Sequence, residues 1–253
     1  MRRLIKPIHI ILMIAVSLVC LEARPGGGSA STAEAQTRLK PGMNFFSLRD
    51  DVEIGRRSAR EIERKYRTYD DSRLDRIGRR LAARSSMPSL PWRFRVIDRR
   101  EVNAFALPGG YVYVTQGLMR AARNEDEIAG TLAHEITHVT LRHGTNQASK
   151  AMLARMPLQM LGGLVGRGAG GALAQLGVGF GLNSLFLKYG RSAETQADVG
   201  AVQLMSRAGY NPYGLASFLG TLKGRGSEFF SDHPNPSNRV GRVEQEIRLL
   251  RQR

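Results

Sequence analysis

His134-Glu135-Ile136-Thr137-His138 decides how this chain is read. On a helix, residues four apart project from one face, so both imidazoles can grip a single Zn²⁺. Glu135, beside the first histidine, is then placed to accept a proton from water at the metal. The chain holds only five histidines, and two of them fall at this spacing around a glutamate.

The flanks support a helix. Asn124-Glu125-Asp126-Glu127 reads as a capping box, with Asn124 as N-cap and Glu127 reaching back to it. Ile128, Leu132, Ile136 and Val139 follow as an apolar stripe at helical spacing, and Gly144 is a candidate C-cap after His143. His143 does not read as a third ligand of the HExxHxxGxxH kind. Leu141 stands where that motif turns on glycine, and His143 comes one position early. It reads instead as a structural histidine or as one at the C-terminal end of the helix, where the dipole favours it.

A further ligand is expected from Ser192-Ala193-Glu194-Thr195-Gln196-Ala197-Asp198. Glu194 and Asp198 lie four apart on an expected helix, capped by Ser192 and closed by Gly209. One carboxylate can bind zinc; the other can accept the remaining N–H of a ligating histidine and fix its tautomer.

HExxH followed by ExxxAD, with Asn103-Ala104-Phe105-Ala106-Leu107-Pro108-Gly109-Gly110 upstream and His233-Pro234 downstream, resembles the BepA/LoiP/HtpX group of zinc metallopeptidases. The CAAX prenyl endopeptidases are distant members of it. The resemblance runs from about Asn44 to the C-terminus, and Asp51-Val52-Glu53-Ile54-Gly55 looks like the start of that domain's first helix. It implies one Zn²⁺ per chain, with His134, His138 and Glu194 as ligands, Glu135 as catalytic base and Asp198 behind a ligand histidine. It places His233 near the metal, where it is an oxyanion donor, a fourth ligand in the resting enzyme, or a histidine that merely packs beneath the C-terminal helix. Thr195-Gln196 stands where the group often has a second acidic residue, in a Glu-x-Glu-Ala-Asp pattern; that residue is not a ligand in this assignment.

Phe94-Arg95-Val96-Ile97 and Tyr111-Val112-Tyr113-Val114-Thr115 read as strands from their alternation and β-branching. Ala104-Phe105-Ala106 is a short strand between them, with Pro108-Gly109-Gly110 turning a hairpin. That hairpin is either plain scaffold or, as the resemblance implies, an edge (Asn103, Ala104, Phe105, Ala106) to which a substrate peptide adds by backbone hydrogen bonds.

The N-terminus reads as a secretory signal. Arg2, Arg3 and Lys6 precede an apolar run from Ile8 to Leu21, too short for a comfortable span, and Ala33-Glu34-Ala35 is a cleavage candidate beside Ala23 and Ala30. An uncleaved signal anchor is the alternative. Cys20 follows Val19, which is unlike the small residue that precedes an acylated cysteine. Residues 1–35 are thus expected to be signal and linker, and 36–253 a single domain. Without Cys20 the mature chain has no thiol, so a His/Glu metal site suits an oxidising compartment such as the periplasm.

A formal net charge of +16 fits acidic partners or an anionic membrane surface. No long basic block or aromatic-basic repeat marks a nucleic-acid platform, so no nucleic-acid partner is expected. From Gly168 to Leu187 there is no charge, but the glycines there and Gln175, Asn183 and Ser184 argue against a lone span. A pair of short apolar helices beside the site, in peripheral contact with the bilayer, is the expectation for Ala151–Gly190. A helix from about Leu215 to Lys223 and a last amphipathic helix, opened by Pro236 or Ser237 and bearing Arg239, Val240, Val243, Ile247 and Leu250, complete the chain.

The sequence therefore reads as an exported zinc-dependent endopeptidase of mostly helical, zincin-like α+β fold, with a small hairpin sheet beside the active-site helix. By resemblance, its substrates are misfolded or misassembled envelope proteins, in periplasmic quality control at or near the outer membrane. Two rivals stand beside this. A non-proteolytic chaperone-like zinc protein would not need Glu135, since structural zinc sites have four protein ligands and no base. A membrane-embedded protease of the prenyl-endopeptidase kind needs several long apolar spans.

Overall fold

The computed structural model describes residues 37–155, 189–222, 233 and 238–252. The expected signal peptide, most of the Gly-rich stretch and the two prolines that follow His233, Pro234 and Pro236, lie outside the described residues. Helix α1 (Leu48–Lys65) starts at Ser47, whose side chain and that of Asp50 cap each other's backbone N–H. Strand β1 (Thr68–Tyr69), helix α2 (Ser72–Ala82), and strands β2 (Arg93–Ile97), β3 (Ala104–Leu107) and β4 (Tyr111–Thr115) follow. Then come helices α3 (Gln116–Ala121), α4 (Glu125–Thr140), α5 (His143–Arg155), α6 (Arg191–Arg207), α7 (Tyr213–Leu222) and α8 (Arg239–Arg251). The fold is α+β and mostly helical. None of the described helices is long and apolar enough to cross a membrane.

The sheet is mixed, in the order β1-β2-β4-β3. The expected hairpin is there: β3 runs antiparallel to β4, with Ala104 opposite Val114 and Leu107 opposite Tyr111. Gly109 and Gly110 turn it at φ 77° and 103°, values that L side chains rarely adopt. The parallel pairing of β2 with β4 and the addition of β1 were not legible in the sequence. Both are choices of partner, which alternation along one strand does not encode. β3 is left as an edge.

Each face of the sheet has its own core. Ala59 and Ile62 of α1 pack with Ile97, Leu107, Tyr111 and Tyr113 on one side. On the other, Phe94, Val96, Val112 and Val114 meet Leu74, Ile77 and Leu81 of α2 and the apolar side of α4. Ile128, Leu132, Ile136 and Val139 are buried as expected, but so is every residue from Glu127 to Thr140. α4 is the central helix, enclosed by α2, α6, α7 and β3, so its remaining faces are free to carry polar groups away from water. α6 approaches it closely because Gly200 has no side chain; a methyl there would run into Thr137.

Several expected helix ends move. Asn124 caps α4, but the Glu127 carboxylate reaches the backbone N–H of Arg123, not that of Asn124. The Arg123 guanidinium and the Ser217 hydroxyl also donate to that carboxylate and draw it there. α4 ends before His143: Arg142 takes the left-handed turn at φ 56°, and α5 begins at once with His143. Arg142 occupies a place usually given to glycine. Its guanidinium is fixed there by a bidentate pair with the buried Asp51, at 2.6 and 3.0 Å, and by the Phe46 carbonyl. α6 starts at Arg191 from Gly190 with no side-chain cap, so Ser192 lies inside the helix. Gly209, at φ 72°, does close it. α8 begins at Arg239, two or three residues later than the sequence suggests.

Candidate metal centre

His134, Glu135 and His138 of α4 meet Glu194 of α6 and His233, whose Nε2 lies 3.4 Å from the Ala104 carbonyl of the edge strand β3. The seven residues His134, Glu135, His138, Glu194, Asp198, His233 and Arg239 are each exposed by no more than 2%. His134, His138, Glu194 and His233 each offer a ligand atom, and those atoms lie within 4.8 Å of one another.

The donor geometry can be compared with a tetrahedron. His134 Nε2 is 3.0 Å from His138 Nε2 and 3.3 Å from His233 Nδ1. Glu194 Oε1 lies 3.1 Å from His233 Nδ1 and 3.4 Å from His138 Nε2, and Glu194 Oε2 lies 3.5 Å from His134 Nε2. Tetrahedral zinc, with bonds of about 2.0–2.1 Å, needs ligand atoms about 3.3–3.4 Å apart. The set of imidazole nitrogens and one carboxylate suits that ion.

Behind the donors stand a second set of groups. The ring nitrogen of His134 that faces away from the cluster, Nδ1, is 3.0 Å from Asp198 Oδ1. Asp198 in turn takes a bidentate pair from Arg239, at 2.6 and 2.8 Å, and Arg239 Nη1 lies 3.1 Å from Glu194 Oε2. His138 Nδ1 lies 2.9 Å from His143 Nδ1, and His143 Nε2 lies 3.1 Å from Gln196 Oε1. The Tyr189 ring stacks on His138, centroids 4.0 Å apart and planes 19° off parallel.

The electrostatics follow from this packing. Burial alone would lower the His134 imidazole, but hydrogen bonding to Asp198 and Glu194 outweighs it and raises the pKa to about 9. Burial pushes His138 well below the usual range. The two imidazoles face each other, and the one set against both Asp198 and Glu194 is the one raised. Burial would raise Glu194 and Asp198, but the surrounding imidazoles for Glu194, and Arg239 and His134 for Asp198, hold both low. Glu135 goes the other way: burial raises it. Neither Glu135 oxygen accepts a hydrogen bond among the described residues, and His233 Nε2 stands 3.4 Å from Oε1.

The sequence-predicted residues thus meet, with one shift. The edge strand starts at Ala104 and runs to Leu107, so Asn103 precedes it; the Asn103 backbone N–H donates to Thr115 Oγ1 and its side chain accepts from Ala104 N–H. The Ala104 carbonyl lies 3.4 Å from His233 Nε2. The sequence reading missed Arg239, Tyr189, and the contact of His143 and Gln196 with the site. Arg239 left a trace: it falls in the apolar stripe with Val243 and Ile247, where an arginine needs a buried partner. His143 does not end α4: the turn at Arg142 makes it the first residue of α5, folded back over His138.

The family model described as Peptidase family M48 matches residues 69–247. The chain is 27% identical to the β-barrel assembly-enhancing protease of Escherichia coli (strain K12) over 222 residues, which are 81% of this chain and 45% of that protein. It is 30% identical to the mitochondrial metalloendopeptidase OMA1 of Schizosaccharomyces pombe over 178 residues, covering 68% and 51%. It is 29% identical to metalloprotease YcaL of E. coli (strain K12) over 197 residues, covering 75% and 74%. The chain therefore spans about half the length of the first two of these relatives.

Proposed function

Because the chain belongs to peptidase family M48, we propose that it is a zinc-dependent endopeptidase, with His134, His138 and Glu194 as zinc ligands and Glu135 as its base. The observation that carries this is the buried group of four donor atoms within 4.8 Å of one another, beside a buried carboxylate that is not part of it. Zinc, when bound there, supplies Lewis acidity, which polarises a carbonyl and makes water a stronger acid. Glu135 takes the proton on a carboxylate oxygen and passes it to the leaving amine; a carboxylate whose pKa is raised by burial suits both steps. Asp198 accepts from His134 Nδ1 and so keeps Nε2 turned to the cluster. β3 offers an extended substrate a backbone edge whose Ala104 carbonyl lies within reach of the site.

The relatives' names include a β-barrel assembly-enhancing protease. Together with the signal-like N-terminus, this supports an exported protein that acts on misfolded or misassembled envelope proteins. The test is casein cleavage by the purified full-length chain, with metal analysis. Activity is expected to vanish with a strong chelator and to return with one zinc per chain. Cleavage that persists after the metal is fully stripped would rule the reading out.

His233 fits the role of resting ligand better than that of oxyanion donor. Its Nδ1 is one of the clustered donor atoms, whereas its Nε2 faces the Ala104 carbonyl and Glu135. Its departure would open the fourth position. His233→Ala is then expected to raise basal cleavage of casein or of the enzyme itself. A fall in turnover of roughly 10²–10³-fold would instead make it an oxyanion donor. Wild-type turnover and zinc affinity would leave it a packing residue.

A further inference from the structure

His138 is the one proposed ligand whose outer nitrogen meets no carboxylate among the described residues. It meets a second imidazole, nitrogen to nitrogen, at 2.9 Å. Such a contact is a hydrogen bond only when one proton lies between the two nitrogens. His138 Nε2 faces the cluster, 3.0 Å from His134 Nε2 and 3.4 Å from Glu194 Oε1. A ligating Nε2 presents its lone pair, so the proton of a neutral His138 sits on Nδ1. That N–H donates to His143 Nδ1, which must be bare, so the His143 proton sits on Nε2. There it meets an acceptor, Gln196 Oε1, at 3.1 Å. Each link forces the next.

We propose that His143 and Gln196 are positioning residues, a neutral hydrogen-bond chain that fixes the tautomer and tilt of His138 as Asp198 and Arg239 fix those of His134. The backbone is built for it. The left-handed turn at Arg142, pinned by Asp51, swings His143 back over His138, with ring planes 74° apart. The Tyr189 ring closes one face of His138. α6 supplies the outer end of both arms, Gln196 to one ligand histidine and Asp198 to the other, with Glu194 on the same helix. The two ligands are then unequal. His134 is backed by an ionised pair and is the stronger donor; His138 is backed by neutral groups and depends on orientation.

This rests on reading His138 as a zinc ligand through Nε2, and the test separates the two. Zinc affinity is measured by competition with a chelator on the full-length protein, and imidazole protonation by long-range ¹H–¹⁵N spectra of the zinc-loaded protein. In the wild type the spectra should put the His138 proton on Nδ1 and the His143 proton on Nε2. His143→Leu, which fills space without an acceptor, should weaken zinc binding by roughly 10–100-fold, as losses behind a ligand do. His143→Gln, which restores a carbonyl oxygen, should recover most of it. Gln196→Leu, at a half-buried position, should weaken binding less and shift the His143 Nε2 resonance, whose N–H loses its acceptor. If His143→Leu does not fold, Gln196→Leu and the wild-type spectrum decide. Wild-type zinc affinity and an unchanged His143 spectrum in Gln196→Leu would overturn the chain, as would a His143 proton on Nδ1 in the wild type. A wild type that binds no zinc would sink the ligand assignment itself.

Discussion

Glu135→Gln is expected to cut casein turnover by roughly 10²–10⁴-fold or more, the worth of a positioned acid/base, while one zinc per chain stays bound. The glutamine keeps the shape of the side chain but cannot take a proton. It should not cost metal, because the clustered ligand atoms belong to His134, His138, Glu194 and His233 and not to Glu135. Nor should it cost stability. The Glu135 carboxylate is fully buried and accepts no hydrogen bond among the described residues. A neutral amide in its place removes the desolvation of a charge, so the melting temperature should hold or rise. Turnover and metal content measured on the same preparation check both halves. Undiminished turnover at full zinc occupancy would remove Glu135 from the mechanism.

The sequence carried the centre of this fold further than its edges, and the reason is physical. The spacing of His134 and His138 fixes a face of one helix, and so does that of Glu194 and Asp198; both are local periodicities that any long helix enforces. The hairpin around Pro108-Gly109-Gly110 is likewise local, since glycine at positive φ is a requirement of the turn itself. What the sequence hid was set through space. β1 joins the sheet and β2 pairs parallel to β4 because of what lies beside them. Glu127 leaves the capping box because Arg123 and Ser217 draw its carboxylate away. His143 joins the site because Arg142 accepts a strained backbone that Asp51 secures from another helix. Arg239 lies over a hundred residues from His134, yet its guanidinium is built into the carboxylates behind it.

That placement of Arg239 gives the two α6 carboxylates separable fates. Glu194→Ala takes an oxygen from the donor cluster and also removes one of the two carboxylates that face Arg239. The buried centre is left with a surplus of positive charge just where a dication must sit. Zinc content and cleavage should both fall to background. Glu194→Gln keeps the size and a weak oxygen donor, and should show the same loss in milder form if the carboxylate charge is what counts. Asp198→Asn is different. An asparagine oxygen can still accept from His134 Nδ1, but it no longer offers Arg239 a charged bidentate partner at 2.6 and 2.8 Å. The donor set stays whole while its backing slackens, so zinc should still bind, roughly 10–100-fold more weakly, and saturating zinc should restore much of the turnover. Zinc titration of the three variants distinguishes an absent ligand, which added metal cannot restore, from a loosened one, which it can. Glu194→Ala holding one zinc as tightly as wild type would mean that the third donor is another residue, and His233, whose Nδ1 lies in the same cluster, would be the first to test.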